Sequence, residues 1–273
     1  MKYSEQQLEK VKRIELNILE EIIRVCEKNN LDYFTVAGTT LGAVRHNGFI
    51  PWDDDIDIGM MRDDYEKFIE ISPTELSEGY TITHFKYDRS IPTYFAKVRK
   101  DGTRFVEKYA KDINMHHGVF VDIFPYDYVP ESEIERKKYC RRVKLWNQLF
   151  IAKSVSGLTF HRKKNILLMK TIRVFLHLMM KPVSKEYLFN KTDLTMRSYN
   201  DDNDAKQVVC SRGLDEFINN YTDIFPTKDH TFESIKVAIP AKYDKVLRQQ
   251  YGEYMELPPE SERYNHTPEI LEL

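Results

Sequence analysis

Four carboxylates occupy five positions in Asp53-Asp54-Asp55-Ile56-Asp57, with mostly apolar sequence on either side. Like charges this close repel one another unless a cation or hydrogen-bond donors sit among them. The fold must therefore carry this stretch to a place where its charge is neutralised. From Asp55 to Met60, polar and apolar residues alternate as in a strand. In an extended chain residues i and i+2 share a face about 7 Å apart, so Asp55 and Asp57 point the same way. Two hard oxygen ligands at that spacing suit Mg²⁺, with Mn²⁺ as the alternative; Mg²⁺ takes one or two carboxylates plus substrate phosphates. A solvated acidic loop is the competing account, and it explains neither the strand pattern nor the Gly38-Thr39 turn upstream.

A third carboxylate comes from Asp122, in Val119-Phe120-Val121-Asp122-Ile123-Phe124. An unpaired charge in such an apolar run is costly, so a metal or a hydrogen-bond partner must offset it. An acid capping a loop is the structural alternative for this residue. An EF-hand does not fit, because Ile58 stands where its glycine belongs and Asp64 where its glutamate belongs. The D-x-D pattern of metal-dependent glycosyltransferases matches Asp53 and Asp55 but leaves Gly38-Thr39 and Asp122 unexplained.

Ser4 and Gln7 form a capping-box pattern, and Leu8, Val11, Ile14, Ile18, Ile22 and Val25 repeat at helical spacing. Strands are expected over 33–37, 55–60, 80–85, 94–99, 103–107 and 118–123, with helices over 39–45 and 63–71. Further helices are expected over 131–153, 161–181 and 185–199, then a strand over 232–239 and a helix over 241–251. The expected architecture is an α/β (α+β) catalytic core with a mixed sheet over residues 1–130. A mostly helical portion, 131–273, packs on it as a single unit.

The 273 residues carry 41 Lys and Arg against 43 Asp and Glu, which argues against a broad nucleic-acid surface. Three cysteines, Cys26, Cys140 and Cys210, are far apart and read as reduced thiols. A charged start and the absence of a long apolar run predict a soluble, cytoplasmic protein.

The combination of Gly38-Thr39, Asp55-Ile56-Asp57-Ile58 and Val121-Asp122-Ile123 resembles the nucleotidyltransferase superfamily signature. A longer match resembles the LicD family. It comprises Leu31-Asp32-Tyr33, Thr39-Thr40-Leu41-Gly42, Arg45-His46, Phe49 through Asp57, Val121 through Pro125, Tyr251-Gly252-Glu253-Tyr254-Met255 and Leu257-Pro258-Pro259. One departure is Ala37, where family members often carry a second glycine.

That resemblance implies a nucleotidyltransferase-like fold and transfer of a phosphoalcohol. Phosphocholine from CDP-choline is the first expectation, and another CDP-alcohol such as CDP-ribitol the second. The acceptor implied is a hydroxyl of a cell-surface glycan (lipopolysaccharide, teichoic acid or a capsule precursor, free or lipid-linked), and CMP leaves. It also implies that Asp55 and Asp57 hold Mg²⁺ and that Asp122 serves as third ligand or general base. Asp53 is a further ligand or positions a water. Gly38 and Thr39 approach the phosphates, and Arg45 pairs with a phosphate oxygen. Lys97 and Arg99, two apart in an expected strand, either meet the diphosphate or lie on an exposed edge. His116 and His117 read as loop histidines, and Trp52 as a packing or choline-binding ring.

The rival readings are an NTP-dependent nucleotidyltransferase releasing pyrophosphate, a silent glycan-binding scaffold and a glycosyltransferase. The segment 166–180, basic and apolar by turns, is either a helix packed on the core or an amphipathic helix resting on the inner face of a membrane.

Overall fold

The computed structural model describes residues 4–155, 171, 174–175, 177–210 and 215–273. Ser4 caps the first helix, α1 (Glu5–Asn29), through the expected capping box, and Asn30 ends it in the left-handed conformation. Val11, Ile18, Leu19, Ile22 and Val25 form its buried stripe. They pack on a mixed sheet together with α3 (Arg62–Glu75), which contributes Tyr65, Phe68 and Ile69. Each such side chain, fully buried, contributes about 1.5–3 kcal/mol.

The sheet runs β1-β2-β6-β4-β3, with β7 on β6 and β8 on β7. Its strands are β1 (Phe34–Thr35), β2 (Asp57–Met61), β3 (Tyr80–Thr83), β4 (Ala96–Lys100), β6 (Phe120–Val129), β7 (Gln207–Cys210) and β8 (Asn219–Asn220). The β2–β6 pair is parallel and the other pairs are antiparallel. Ile58, Met60, Val121, Ile123 and Val98 join the core under α1 and α3. The intervening positions Phe124 and Tyr126 join Phe34, Val36, Val208 and Phe225 in a second core. Asp57 and Asp122 alternate with the first set, so they lie on the second face at its open end.

The central strand β6 extends six residues past its expected end, through Pro125 to Val129. Its length follows from a change of partner. The Asp122 N–H donates to Ile56 O, so alternation turns the amide position of residue 125 to the opposite side. There the β4 ladder ends at Ile123 and the β7 ladder begins at Tyr126. Proline's missing N–H falls in that gap, where no ladder bond is lost.

Beyond residue 130 the chain forms α4 (Glu133–Ser154) and α5 (Lys185–Met196) but also returns strands to the core. The expected helix over 161–181 lies mostly outside the described residues; 171, 174–175 and 177–179 are helical. The expected strand over 232–239 is instead a hairpin, β9 (Lys228–Phe232) and β10 (Ile235–Ile239). Glu233, with φ 52°, makes the turn. A C-terminal helix, Tyr243–Tyr251, packs Leu247 against Leu41 and Ile50. Finally β11 (Ile270–Glu272) pairs with β5 (Arg104–Val106).

A buried ion pair ties these layers together. At the start of α3, Arg62 meets Asp127 of β6 in a two-pronged pair, and its third nitrogen lies 3.3 Å from Asp193 of α5. Asn200 donates to the same Asp127 at 2.7 Å.

Candidate functional site

Helix α2 (Ala37–His46) begins where β1 ends, and Asn47 terminates it in the left-handed conformation. The acid loop follows and is held from three directions. Lys12 of α1, itself buried, donates to Ile50 O at 3.1 Å and Pro51 O at 3.0 Å. Glu233 of the hairpin turn accepts the Phe49 N–H at 3.0 Å. The backbone N–H of His266, 212 residues later in the chain, donates to Asp54 Oδ1 at 2.6 Å.

The carboxylates then divide by role. Asp54 is buried and spent on the loop. Asp53 accepts the Asp54 N–H at 3.2 Å and lies against Gly38, where an added Cβ would come within 3.0 Å of Asp53 Oδ2. Any larger residue at 38 would press on the Asp53 carboxylate, so glycine keeps the contact of helix and acid loop unstrained. Asp55 precedes the strand, with Oδ2 3.4 Å from His266 Nδ1. Asp57 is the first residue of β2 and the register partner of Asp122 on β6. Its N–H donates to Thr39 Oγ1 at 2.8 Å, which fastens the α2 start to the acid strand. The Thr39 N–H is taken by Val36 O, while its hydroxyl proton stays available for another acceptor.

The expected cations occupy several positions. Strand β4 lies between β3 and β6, so Lys97 and Arg99 are interior and the exposed-edge alternative does not hold. Lys97 Nζ lies 2.8 Å from Asp122 Oδ1 and 3.3 Å from Glu107 Oε1, above the Phe120 ring. Arg99 reaches Glu107 at 3.6 Å and donates to Thr83 Oγ1 and Gly118 O, so it braces the Lys97 end of the site. Arg45 donates to Tyr254 O at 2.7 Å and Glu256 O at 3.3 Å, joining two of the sequence blocks singled out above. His116 is a satisfied loop residue, bonded to Asp101, whereas His117 is bonded to Ile113 O through Nε2 and leaves its buried Nδ1 without a partner. Trp52 packs under the Arg263 guanidinium.

Burial and crowding perturb Asp53 and Asp55. Burial, then the charge of Asp53, pushes the Asp55 carboxyl up to about 8. Burial raises Asp53 as well, partly offset by His266. His266 moves the other way in charge terms: its bond to Asp54 and the charges of Asp55 and Asp53 raise its imidazole to about 9. Ligand atoms from Asp53, Asp54 and His266 all lie within 4.8 Å of one another. Raised carboxyl pKa values in an oxygen-rich cluster fit a divalent cation, which would replace the protons that now relieve the repulsion.

Glu15, Glu107 and His266 were not singled out in the sequence. Glu15 had a signal, since it interrupts the apolar stripe of α1. It is buried, its Oε2 has no hydrogen-bond partner, and burial followed by the charges of Asp55, Asp54 and Asp53 raises its carboxyl well above the usual range. His266 had none, because only the folded chain brings it to the acid loop.

Residues 30–154 match the family described as LicD/FKTN/FKRP, nucleotidyltransferase domain. Lipopolysaccharide cholinephosphotransferase LicD of Haemophilus influenzae is 29% identical over 262 residues, 92% of each chain. An uncharacterized protein of Rickettsia typhi is 36% identical over 128 residues, 45% of this chain and 37% of its own. The mouse ribitol 5-phosphate transferase FKRP is 25% identical over 105 residues, 38% of this chain and 19% of its own. The acid strand, its Asp122 partner and the preceding helix all fall inside the matched domain. Residues 30–154 thus match a LicD-type nucleotidyltransferase domain, and the chain is similar to the Haemophilus protein over most of its length.

Proposed function

We propose that this protein is a Mg²⁺-dependent transferase that moves phosphocholine from CDP-choline to a hydroxyl of a cell-surface glycan and releases CMP. The register pairing of Asp57 with Asp122, two residues after Asp55 and bonded to the α2 start through Thr39, carries the reading. Support for the transferred group comes from the cholinephosphotransferase and the ribitol 5-phosphate transferase among its relatives. The coarser reaction, transfer of a phosphoalcohol to a glycan, is common to both.

Asp55, Asp57 and Asp122 would hold the cation, with Asp53 positioning a water. When bound, Mg²⁺ supplies positive charge against the diphosphate oxygens. The hydroxyl proton on Thr39 and the N–H groups of Ala37 and Gly38 at the α2 start would meet a phosphate oxygen. Lys97 orients the Asp122 carboxylate as a ligand, and the acceptor hydroxyl loses its proton to water as the new P–O bond forms and the bond to CMP breaks.

The test is product analysis with CDP-choline, CDP-ribitol and CTP, each with Mg²⁺ and a glycan acceptor. CMP released with phosphocholine on the acceptor is the expected result. Pyrophosphate from CTP alone would replace this reading with nucleotidyl transfer, and turnover of CDP-ribitol alone would change the cargo.

A further inference from the structure

From Arg136 to Lys185 the chain carries fourteen Lys and Arg residues and no Asp or Glu, although the whole protein has a net charge of −2. Part of this stretch is described. On α4, Ile134, Lys138, Arg141 and Leu145 are all exposed at spacings of three or four, which places them along one face. Arg142 and Glu135, also exposed, adjoin that face, which carries three cations against one acid. Farther on, Val174, Phe175, Leu178 and Met179 are each at least half exposed.

Those four apolar residues belong to a segment that is fastened on its other side. His177 Nδ1 is bonded to Ala152 O at 2.8 Å, and Lys153 Nζ donates to Lys181 O at 2.8 Å. Met180 and Val183 pack on the small core of Phe85, Phe150 and Leu188. The inner side of the segment is thus already satisfied by α4, and Val174, Phe175, Leu178 and Met179 form an additional outward stripe. Packing against the core does not account for them.

We infer that this face docks on the surface of an anionic lipid bilayer, with the apolar stripe entering the headgroup boundary and the Lys and Arg side chains meeting lipid phosphates. Charge selects this occupant. A second copy of the chain would bring one strongly cationic face against another, which like-charge repulsion opposes. A nucleic acid or anionic polymer would use the cations but leave the four apolar side chains in water. An anionic membrane uses both, as amphipathic interfacial helices do. Contact is peripheral: no helix among the described residues is long and apolar enough to cross a membrane. The inference is independent of the reaction proposed above and does not need it to hold.

The experiment is co-sedimentation of the full chain with vesicles of phosphatidylcholine alone and of phosphatidylcholine with one third phosphatidylglycerol. Binding is expected only to the anionic vesicles, weakening as salt is raised. Arg141→Glu with Arg142→Glu should lower the partition at least about tenfold, and Phe175→Ser with Leu178→Ser and Met179→Ser about fivefold or more at unchanged charge. Phe175→Trp supplies a reading that does not depend on truncation, a blue shift of emission on the anionic vesicles. Three results overturn the inference: no partition onto anionic vesicles, partition indifferent to the serine variant, or a dimer in sedimentation velocity that the serine variant dissociates.

Discussion

Lys97 Nζ lies 2.8 Å from Asp122 Oδ1, across the β4–β6 ladder where the two residues are register partners. A buried ammonium therefore stands beside one of the carboxylates proposed to hold the cation, and Glu107 steadies it from behind. The pair cannot be cut on one side without cost. Lys97→Met leaves Asp122 and Glu107 without their shared counter-charge, and a loss of about 3–5 kcal/mol is expected. Urea denaturation with and without Mg²⁺ checks this: the cation should recover more stability in the variant than in the parent protein.

Asp55→Asn and Asp57→Asn should each lower transfer by on the order of 10²–10³-fold or more while the fold persists. Asp54→Asn should behave differently, because Asp54 is spent on the His266 N–H and an amide oxygen can still accept that bond. Turnover and circular dichroism on the three variants separate the roles; near-normal activity in Asp55→Asn would sink the cation assignment.

Without a cation, stability should fall as pH rises. The Asp55 carboxyl, near 3.8 in an unfolded chain, is raised to about 8 in the fold, so the native state holds a proton that the unfolded state has lost between those values. His266, raised from 6.5 to about 9, stabilises fully below 6.5 and loses its contribution as pH climbs through 9. Both slopes have the same sign. A Tm series in EDTA from pH 6.5 to 8, above the window of the lowered His84 and below that of the lowered Lys185, should decline, and Mg²⁺ should flatten it by taking the place of the Asp55 proton. Parallel curves with and without Mg²⁺ would show that no cation binds among these acids.

Because its imidazolium sits 3.4 Å from both Asp54 and Asp55, His266 acts as a stand-in cation at neutral pH. His266→Gln should tighten Mg²⁺ binding at pH 7 about threefold, the scale of an exposed ion pair worth ~0.5–1 kcal/mol. Isothermal titration gives the answer directly, and weaker binding would make His266 a ligand instead of a competitor.

Ala37 has φ 46°, in the left-handed region, at the start of α2. A side chain there costs roughly 1–2 kcal/mol that glycine avoids, against a smaller entropic gain from alanine in the unfolded chain. Ala37→Gly should therefore raise stability by about 0.5–1 kcal/mol, seen as a Tm increase of about 2 °C.

How much of this was legible depends on whether the signal was local. Helix α1 announced itself through its cap and stripe, and the acid strand through alternation. Asp122 stood out as one charge in an apolar run. The length of β6 was hidden because Pro125 reads as a stop, and only the change of partner from β4 to β7 shows why it is harmless. The 232–239 run was hidden for the opposite reason, since its turn is made by a glutamate, not by glycine or asparagine. Glu15 was visible in principle as an acid on a buried stripe. His266 was not visible at all, for no pattern in Asn265-His266-Thr267 points to a loop 212 residues away.

The joining of β11 to β5, with His266 docked on Asp54 just before it, has a consequence for how the protein is made. The ribosome delivers residues 5–129, and with them five strands of the main sheet, long before it delivers residues 266–272. At about 5–20 residues per second, roughly 10–40 s separate translation of Asp57 from translation of Glu272. Throughout that interval the nascent chain carries its acid loop without the His266 backbone and imidazole that meet its carboxylates. Translation order thus postpones a finished phosphoryl-transfer centre until the polypeptide is nearly complete.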